Sequence, residues 1–210
     1  MMKKVLYVAA AALMLVACDS KTRVVAQWEG NAPKKMKFSV GEKMDTTVAV
    51  KDGKLEVKLP ADLTSLSRAR AGAANFTFVS DGSRLTVNTK TGTIVSSKKN
   101  GLHSRYEAYT QWKKDFMNDY YAKIGKMEDG SAEAVAFFNE SKEKYNAYVV
   151  KTLKANKNNI LGGLAAVDLA LEDPDDILAL ISTLSPQIQN LQSVIDVKEA
   201  CEDYKAGNVQ

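Results

Sequence analysis

Two hydrophobic periods divide this chain. Up to about residue 100, apolar side chains alternate with polar ones, the period of a half-buried strand. Val24-Val25-Ala26-Gln27-Trp28 opens as a β-branched run, and Met36, Phe38 and Val40 then alternate with Lys and Ser. In "TTVAVKDGKLEVKLP", Val48 and Val50 alternate before Asp52-Gly53, and Leu55, Val57 and Leu59 alternate after it. Asp-Gly between alternating runs predicts a hairpin, because a type I′ turn needs φ > 0 at both central positions. Pro60 cannot donate to a ladder and predicts the end of that strand. "ANFTFVSDGSRLTVNT" repeats the device with Phe76 and Phe78, then Asp81-Gly82, then Leu85 and Val87; Ile94-Val95 adds one short strand. Short strands with turn signals every 8–12 residues or so predict a β-sandwich or partial barrel, and the expectation taken is an antiparallel β-sandwich-like module.

Near Asn100-Gly101 the period becomes helical. Leu102, Tyr106, Tyr109, Trp112, Phe116, Tyr120 and Ile124 recur at three or four residues and lie on one helix face. Ser131 predicts the cap of a second helix running to "KANKNN", with Glu133 in its first turn. A third is expected from Ile160 to Leu171 across Gly162-Gly163, a pair that permits close helix packing. Asp173-Pro174-Asp175-Asp176 predicts the start of a fourth, Ser185-Pro186 that of a fifth reaching about Tyr204, and Gly207 a helix stop. The expectation is therefore an α+β chain: a β module over 18–100, then an all-helical module of about five helices over 101–210.

The first seventeen residues stand outside both periods. Lys3 and Lys4 precede an uncharged Ala-, Leu- and Val-rich run from Val5 to Ala17, which has signal-peptide length and is too short to span a bilayer. Leu15-Val16-Ala17-Cys18 resembles the bacterial lipobox. That resemblance implies diacylglycerol transfer to the Cys18 thiol, cleavage between Ala17 and Cys18, and acylation of the new amino group. Several acyl chains anchor stably, each buried CH₂ contributing roughly 0.8 kcal/mol. The alternative is an ordinary secretory signal cut at Ala17 or earlier, leaving Cys18 as a free thiol. On the lipobox reading the chain is held by lipid to the inner or outer membrane of a cell envelope, with its body in the periplasm.

Charge sharpens the division. Residues 18–100 carry 15 basic and 8 acidic side chains, net +7, and residues 101–210 carry 12 and 17, net −5. The N-terminal excess is lysine scattered at alternate positions, as expected of a solvated strand face and protected sheet edges. No basic stripe is interleaved with aromatics, so nucleic acid is not an expected partner.

Motifs for bond chemistry are missing. The single histidine, His103, has no nucleophile motif beside it, and neither a Gly-x-Ser-x-Gly elbow nor a phosphate loop occurs. "DPDD" lacks the alternating acids, central Gly and distal Glu of a calcium loop and is read as a helix cap. One His and one mature Cys cannot make a zinc site, so no catalytic residue, metal or cofactor is expected. Cys201 lies among acids in "VKEACEDYK", which opposes a reactive thiolate. The row Tyr106, Tyr109, Trp112, Phe116, Tyr120 and Tyr121 reads mainly as a packed helix face. It is also the candidate for a groove that takes sugar or peptide. Tyr120 and Tyr121 point to different sides of a helix, which leaves one of them for solvent.

The order of these parts is itself recognisable. A lipobox, a β module with "VKDGKLEVKL" and "FTFVSDGSRLTV", a Tyr-rich helix, "KANKNNILGGLA" and a Ser-Pro helix before "YKAGN" follow one another. This resembles the N-terminal region of TlpA-type thioredoxin-like lipoproteins of Gram-negative anaerobes. The resemblance implies a β domain of unknown function and a helical segment preceding a thiol-disulfide oxidoreductase domain with a Cys-x-x-Cys site. That motif is absent here, and Cys18 and Cys201 cannot supply it, so the family's redox activity is carried to no residue of this sequence. One reading is a non-catalytic, lipid-anchored accessory or binding module whose partner is a protein or peptide client. The other is the front part of a split or truncated oxidoreductase acting with a separate thioredoxin domain.

Overall fold

The computed structural model describes residues 21–72 and 74–207. The expected signal peptide, residues 1–17, and Cys18 lie outside the described residues. The fold is α+β, with two compact units. One comprises residues 21–61 and 67–98; the other comprises 62–66 and 99–207.

The first unit holds strands β1 (Lys21–Gln27), β2 (Lys35–Val40), β3 (Met44–Ala49), β4 (Lys54–Pro60), β6 (Ala74–Ser80), β7 (Arg84–Asn88) and β8 (Ile94–Ser96), with the second half of β5 (Asp62–Ala71). They form two four-stranded sheets, ordered β4-β1-β7-β8 and β3-β2-β5-β6. The alternating positions do what their pattern predicts. Met36, Phe38 and Val40 from one sheet and Val24, Leu59 and Leu85 from the other are almost fully buried in one cluster. Each such side chain contributes on the order of 1.5–3 kcal/mol by leaving water.

The hairpin expectations need correction. Asp52 and Gly53 do adopt positive φ, 49° and 68°, as a type I′ turn requires. Only Lys51 and Lys54 pair across the turn, however, and then the strands part. β3 pairs with β2 in one sheet, and β4 pairs with β1 in the other. The Asp81-Gly82 turn likewise links β6 and β7, which belong to different sheets. Alternation requires only that every second residue face a core. A sandwich satisfies that with the two runs in opposite layers. The crossing also places β7 parallel to β1, with Val24 beside Leu85 and Ala26 beside Val87, in a fold expected to be antiparallel. A parallel pair needs a long connection, and the chain supplies one by passing through the other sheet.

The ten-residue β5 has no counterpart in the hydrophobic pattern. The positions it buries are Asp62, Ser67 and Ala69, small or polar, while Leu63 is exposed. Asp62 Oδ1 accepts from the Thr64 amide at 2.9 Å and the Thr64 hydroxyl at 2.8 Å.

The second unit contains α1 (Leu102–Ile124), α2 (Ala132–Ala155), α3 (Ile160–Val167), α4 (Pro174–Ser182), α5 (Pro186–Gln189) and α6 (Gln192–Lys205). The Ser131 hydroxyl accepts from the Ala134 amide, and the Asp173 carboxylate from the Asp175 amide, so both predicted caps form. The expected fifth helix is broken at Asn190-Leu191 into α5 and α6, giving six among the described residues. The third ends at Val167, four residues before the expected Leu171.

Gly162 and Gly163 explain how α3 seats. A Cβ at Gly162 would stand 2.2 Å from the Asn156 carbonyl oxygen, and one at Gly163 would stand 2.9 Å from Leu191 Cδ1. The pair therefore serves close helix packing, as its position predicted. No described helix is long and apolar enough to cross a membrane.

Candidate functional site

The aromatic row of α1 packs mostly against α2. Trp112 and Tyr148 stack with ring centroids 3.7 Å apart, and Tyr109 stacks on Tyr148 at 6.1 Å. Tyr145 lies 5.6 Å from Trp112 and 5.3 Å from Phe116, and Tyr120 stacks on Phe137 at 5.7 Å. Offset ring pairs of this kind are worth about 0.5–1.5 kcal/mol each beyond their buried area. The row is thus largely structural, as a helix face at this spacing implies.

It is not covered throughout. Beyond Trp112 the helices and the residues after α3 leave an open groove of about 590 Å³. Phe116, Tyr120, Tyr121, Phe138, Tyr145 and Val167 line it. Tyr121 is 63% exposed and Phe138 48%, large values for aromatic side chains with an apolar groove between them. Of the Tyr120-Tyr121 pair, Tyr121 is the solvent-facing member. Phe137-Phe138 repeats that arrangement on α2, since adjacent helical residues point about 100° apart and cannot share a buried face.

The α3 side of the groove is tied down by polar contacts. The Tyr109 hydroxyl donates to Asp168 at 2.8 Å, and the Lys113 ammonium pairs with the other oxygen of that carboxylate. The Asn146 amide donates to the Ala170 carbonyl and accepts from the Ala170 amide, both at 3.0 Å. Lys142 pairs with Glu172 at 2.6 Å. Burial and the Asp168 charge push the Tyr109 phenol well above its ordinary value, and the same causes push Tyr145 up to about 12. Both phenols stay neutral and keep their donor capacity at any physiological pH.

Several polar groups in the groove are unspent. Ser141 is only 8% exposed, lines the groove, and makes no side-chain hydrogen bond to a described residue. Its hydroxyl and the phenols of Tyr120 and Tyr121 are the groups that can meet a ligand's polar atoms. Sequence reasoning found the α1 side of this groove but missed Phe138, Ser141, Asn146 and Asp168. The doubled aromatics at 120–121 and 137–138 are the legible signal, because each pair must leave a ring outside the core.

His103 is fully buried and takes part in the packing of its surroundings. Cys201 is a buried free thiol, pushed up by desolvation and by the neighbouring Glu202. Among the described residues no three His, Cys, Asp or Glu side chains come together as metal ligands. A second open groove, of about 910 Å³, lies on the outer face of the β4-β1-β7-β8 sheet and is lined by charged and polar side chains including Lys54, Glu56 and Arg84. No family model, curated protein or solved structure matches this chain.

Proposed function

We propose that the chain is a non-catalytic, lipid-anchored binding module of the cell envelope, and that the aromatic groove of its helical unit holds an apolar side chain of a peptide segment. The observation that carries this reading is the open groove between α1 and α2, in whose wall the rings of Tyr121 and Phe138 stay exposed beside Ser141. Large rings held at a surface lose apolar contact with no gain unless a partner covers them. Tyrosine supplies such contact area with a hydroxyl at its tip. Peptide suits the groove better than sugar. A pyranose carries a hydroxyl on nearly every carbon, and each one buried without a partner costs roughly 1–3 kcal/mol. Asp168, Lys142 and Asn146 are already engaged with the protein.

Trp112 provides the readout, because its ring lies against Phe116 at 5.4 Å and stacks on Tyr145, both of which line the groove. Short acetylated peptides with one Phe or Leu, titrated against the full chain, are expected to change its fluorescence saturably. Tyr121→Ser with Phe138→Ser is expected to weaken that binding at least tenfold, at little cost in stability since both rings are exposed. Saturable binding of oligosaccharides without peptide binding would replace the reading. Turnover of insulin disulfides by the purified chain would move it to the oxidoreductase alternative.

A further inference from the structure

The β1 strand begins three residues after Cys18, and the outer face of its sheet is cationic at that end. Arg23 lies opposite Lys58 of β4 on one side and Arg84 of β7 on the other. The three therefore form a row across the sheet. Lys21 stands on the same face, one pleat nearer Cys18, because alternate residues share a face. Lys58 and Arg84 are exposed and make no ion pair with a described residue. Among the described residues, the carboxylate that meets this row is Glu56. The Arg23 guanidinium bonds it at 2.6 Å, and the charges of Arg23, Arg84 and Lys58 all hold its carboxyl below the usual range. Three cations thus share one anion, and Arg23 Nε is buried with no acceptor.

Like charges directly opposite one another weaken a sheet. A row of three is relieved where a further source of negative charge meets it. We infer that this face, the row Lys58–Arg23–Arg84 with Lys21, docks on the anionic phospholipid headgroups of the membrane that holds the protein. The inference rests on the lipid-anchor reading of Cys18. Three residues extend at most about 10 Å. That keeps Lys21 within about one Debye length of Cys18, roughly 8–10 Å at physiological ionic strength; Arg23, two residues further along β1, stands at most about 17 Å along the chain from Cys18, within about two. The tether removes most of the translational cost of association, and a few Lys and Arg side chains then suffice to set orientation. Val95, 63% exposed, lies on the same outer face opposite Thr86. It brings an apolar side chain to the docking side. The other sheet also shows cations, with Lys37 opposite Arg70, but Asp45 pairs with Lys37 there.

The test uses the acylated protein in vesicles of neutral phosphatidylcholine, with or without phosphatidylglycerol. An environment-sensitive fluorophore is placed at Val95→Cys or, on the opposite sheet, at Thr47→Cys. Cys201 is buried with its thiol pushed up, so it competes poorly for the label. The Val95 probe is expected to shift to the blue only with phosphatidylglycerol. Arg23→Gln/Lys58→Gln/Arg84→Gln is expected to abolish the shift, and so is 0.5 M salt, where the Debye length falls to a few ångströms. The Thr47 probe is expected to stay unchanged. A shift at Thr47 instead overturns the inference, as does a Val95 shift equal on neutral vesicles or untouched by the triple substitution. Loss of the shift to millimolar inorganic phosphate at constant ionic strength also overturns it, in favour of a small-anion site. Mass spectrometry of the same preparation separates the two readings. Cys18 without lipid fails the anchor, whereas acylated protein with no charge-dependent shift fails the docking face alone.

Discussion

Gly162 is the residue at which the helical unit has least room. Its missing Cβ lets α3 approach the Asn156 carbonyl, and the adjoining Gly163 admits Leu191 and Ile188. Asn156 cannot withdraw easily. It is buried, its amide donates to the Thr152 carbonyl at 2.8 Å, and its side-chain oxygen lies 3.3 Å from Asn159 Nδ2. Overpacking a filled core costs about 1–3 kcal/mol, and here the clash is with backbone. Gly162→Ala is therefore expected to lower stability by about 3 kcal/mol, measured by urea unfolding followed through helical circular dichroism. A loss below about 0.5 kcal/mol would show that the helices slide apart freely. The glycine pair was visible in the sequence as a packing site, but its neighbours were not, because Asn156 and Leu191 approach it only in the folded unit.

At the scale of elements, Tyr109 joins α1 to the end of α3 through Asp168. The bond has a pH signature. The Tyr109 phenol is raised in the folded state, first by burial and then by the Asp168 charge and hydrogen bond. Above about pH 10 the unfolded chain releases this proton while the folded chain keeps it. The folded state then binds more protons, so stability is complete below pH 10 and falls as pH rises. Tyr145 adds to the fall until about 12. Tyr109→Phe is expected to reduce stability by about 1.5–3 kcal/mol at pH 8, where one hydrogen bond to a charged group is lost. It is also expected to flatten the loss between pH 8 and 11, when unfolding midpoints are compared at both values. An unchanged slope would remove Tyr109 from that role. The elements themselves were mostly legible: the caps Ser131 and Asp173 and the stop at Gly207 all stand where their residue types placed them. β5 was not, because a strand whose buried side is Ser67 and Ala69 has no hydrophobic period to read.

For the whole molecule, the proposed attachment is a matter of acyl chains, with the cationic sheet face setting orientation. The two contributions respond differently to salt. Burial of acyl chains does not depend on ionic strength, whereas contacts between exposed charges are screened. The native protein is expected to remain with the membrane fraction in 1 M salt and to leave it only with detergent. Mass spectrometry should find a diacylglycerol-modified Cys18, absent from Cys18→Ala. Release of the native protein by salt alone would refute acyl anchoring. The opposite charges of the two halves, +7 and −5, were legible by counting. How those charges line up across strands was not.

The amino-acid sequence by itself determined the two periods, the α+β order, the turn at Asp52-Gly53 and the helix ends. Each follows from the local geometry of a few adjacent residues. Only tertiary structure decided that both Asp-Gly turns pass between sheets, that β7 runs parallel to β1, and that Arg23 stands between Lys58 and Arg84. It also decided that Phe138 and Ser141 complete a groove begun by Tyr120 and Tyr121. Alternation says that a side chain faces a core but not which strand lies beside it. Pairing and grooves depend on contacts between residues far apart in the chain, and these exist only once the layers have packed.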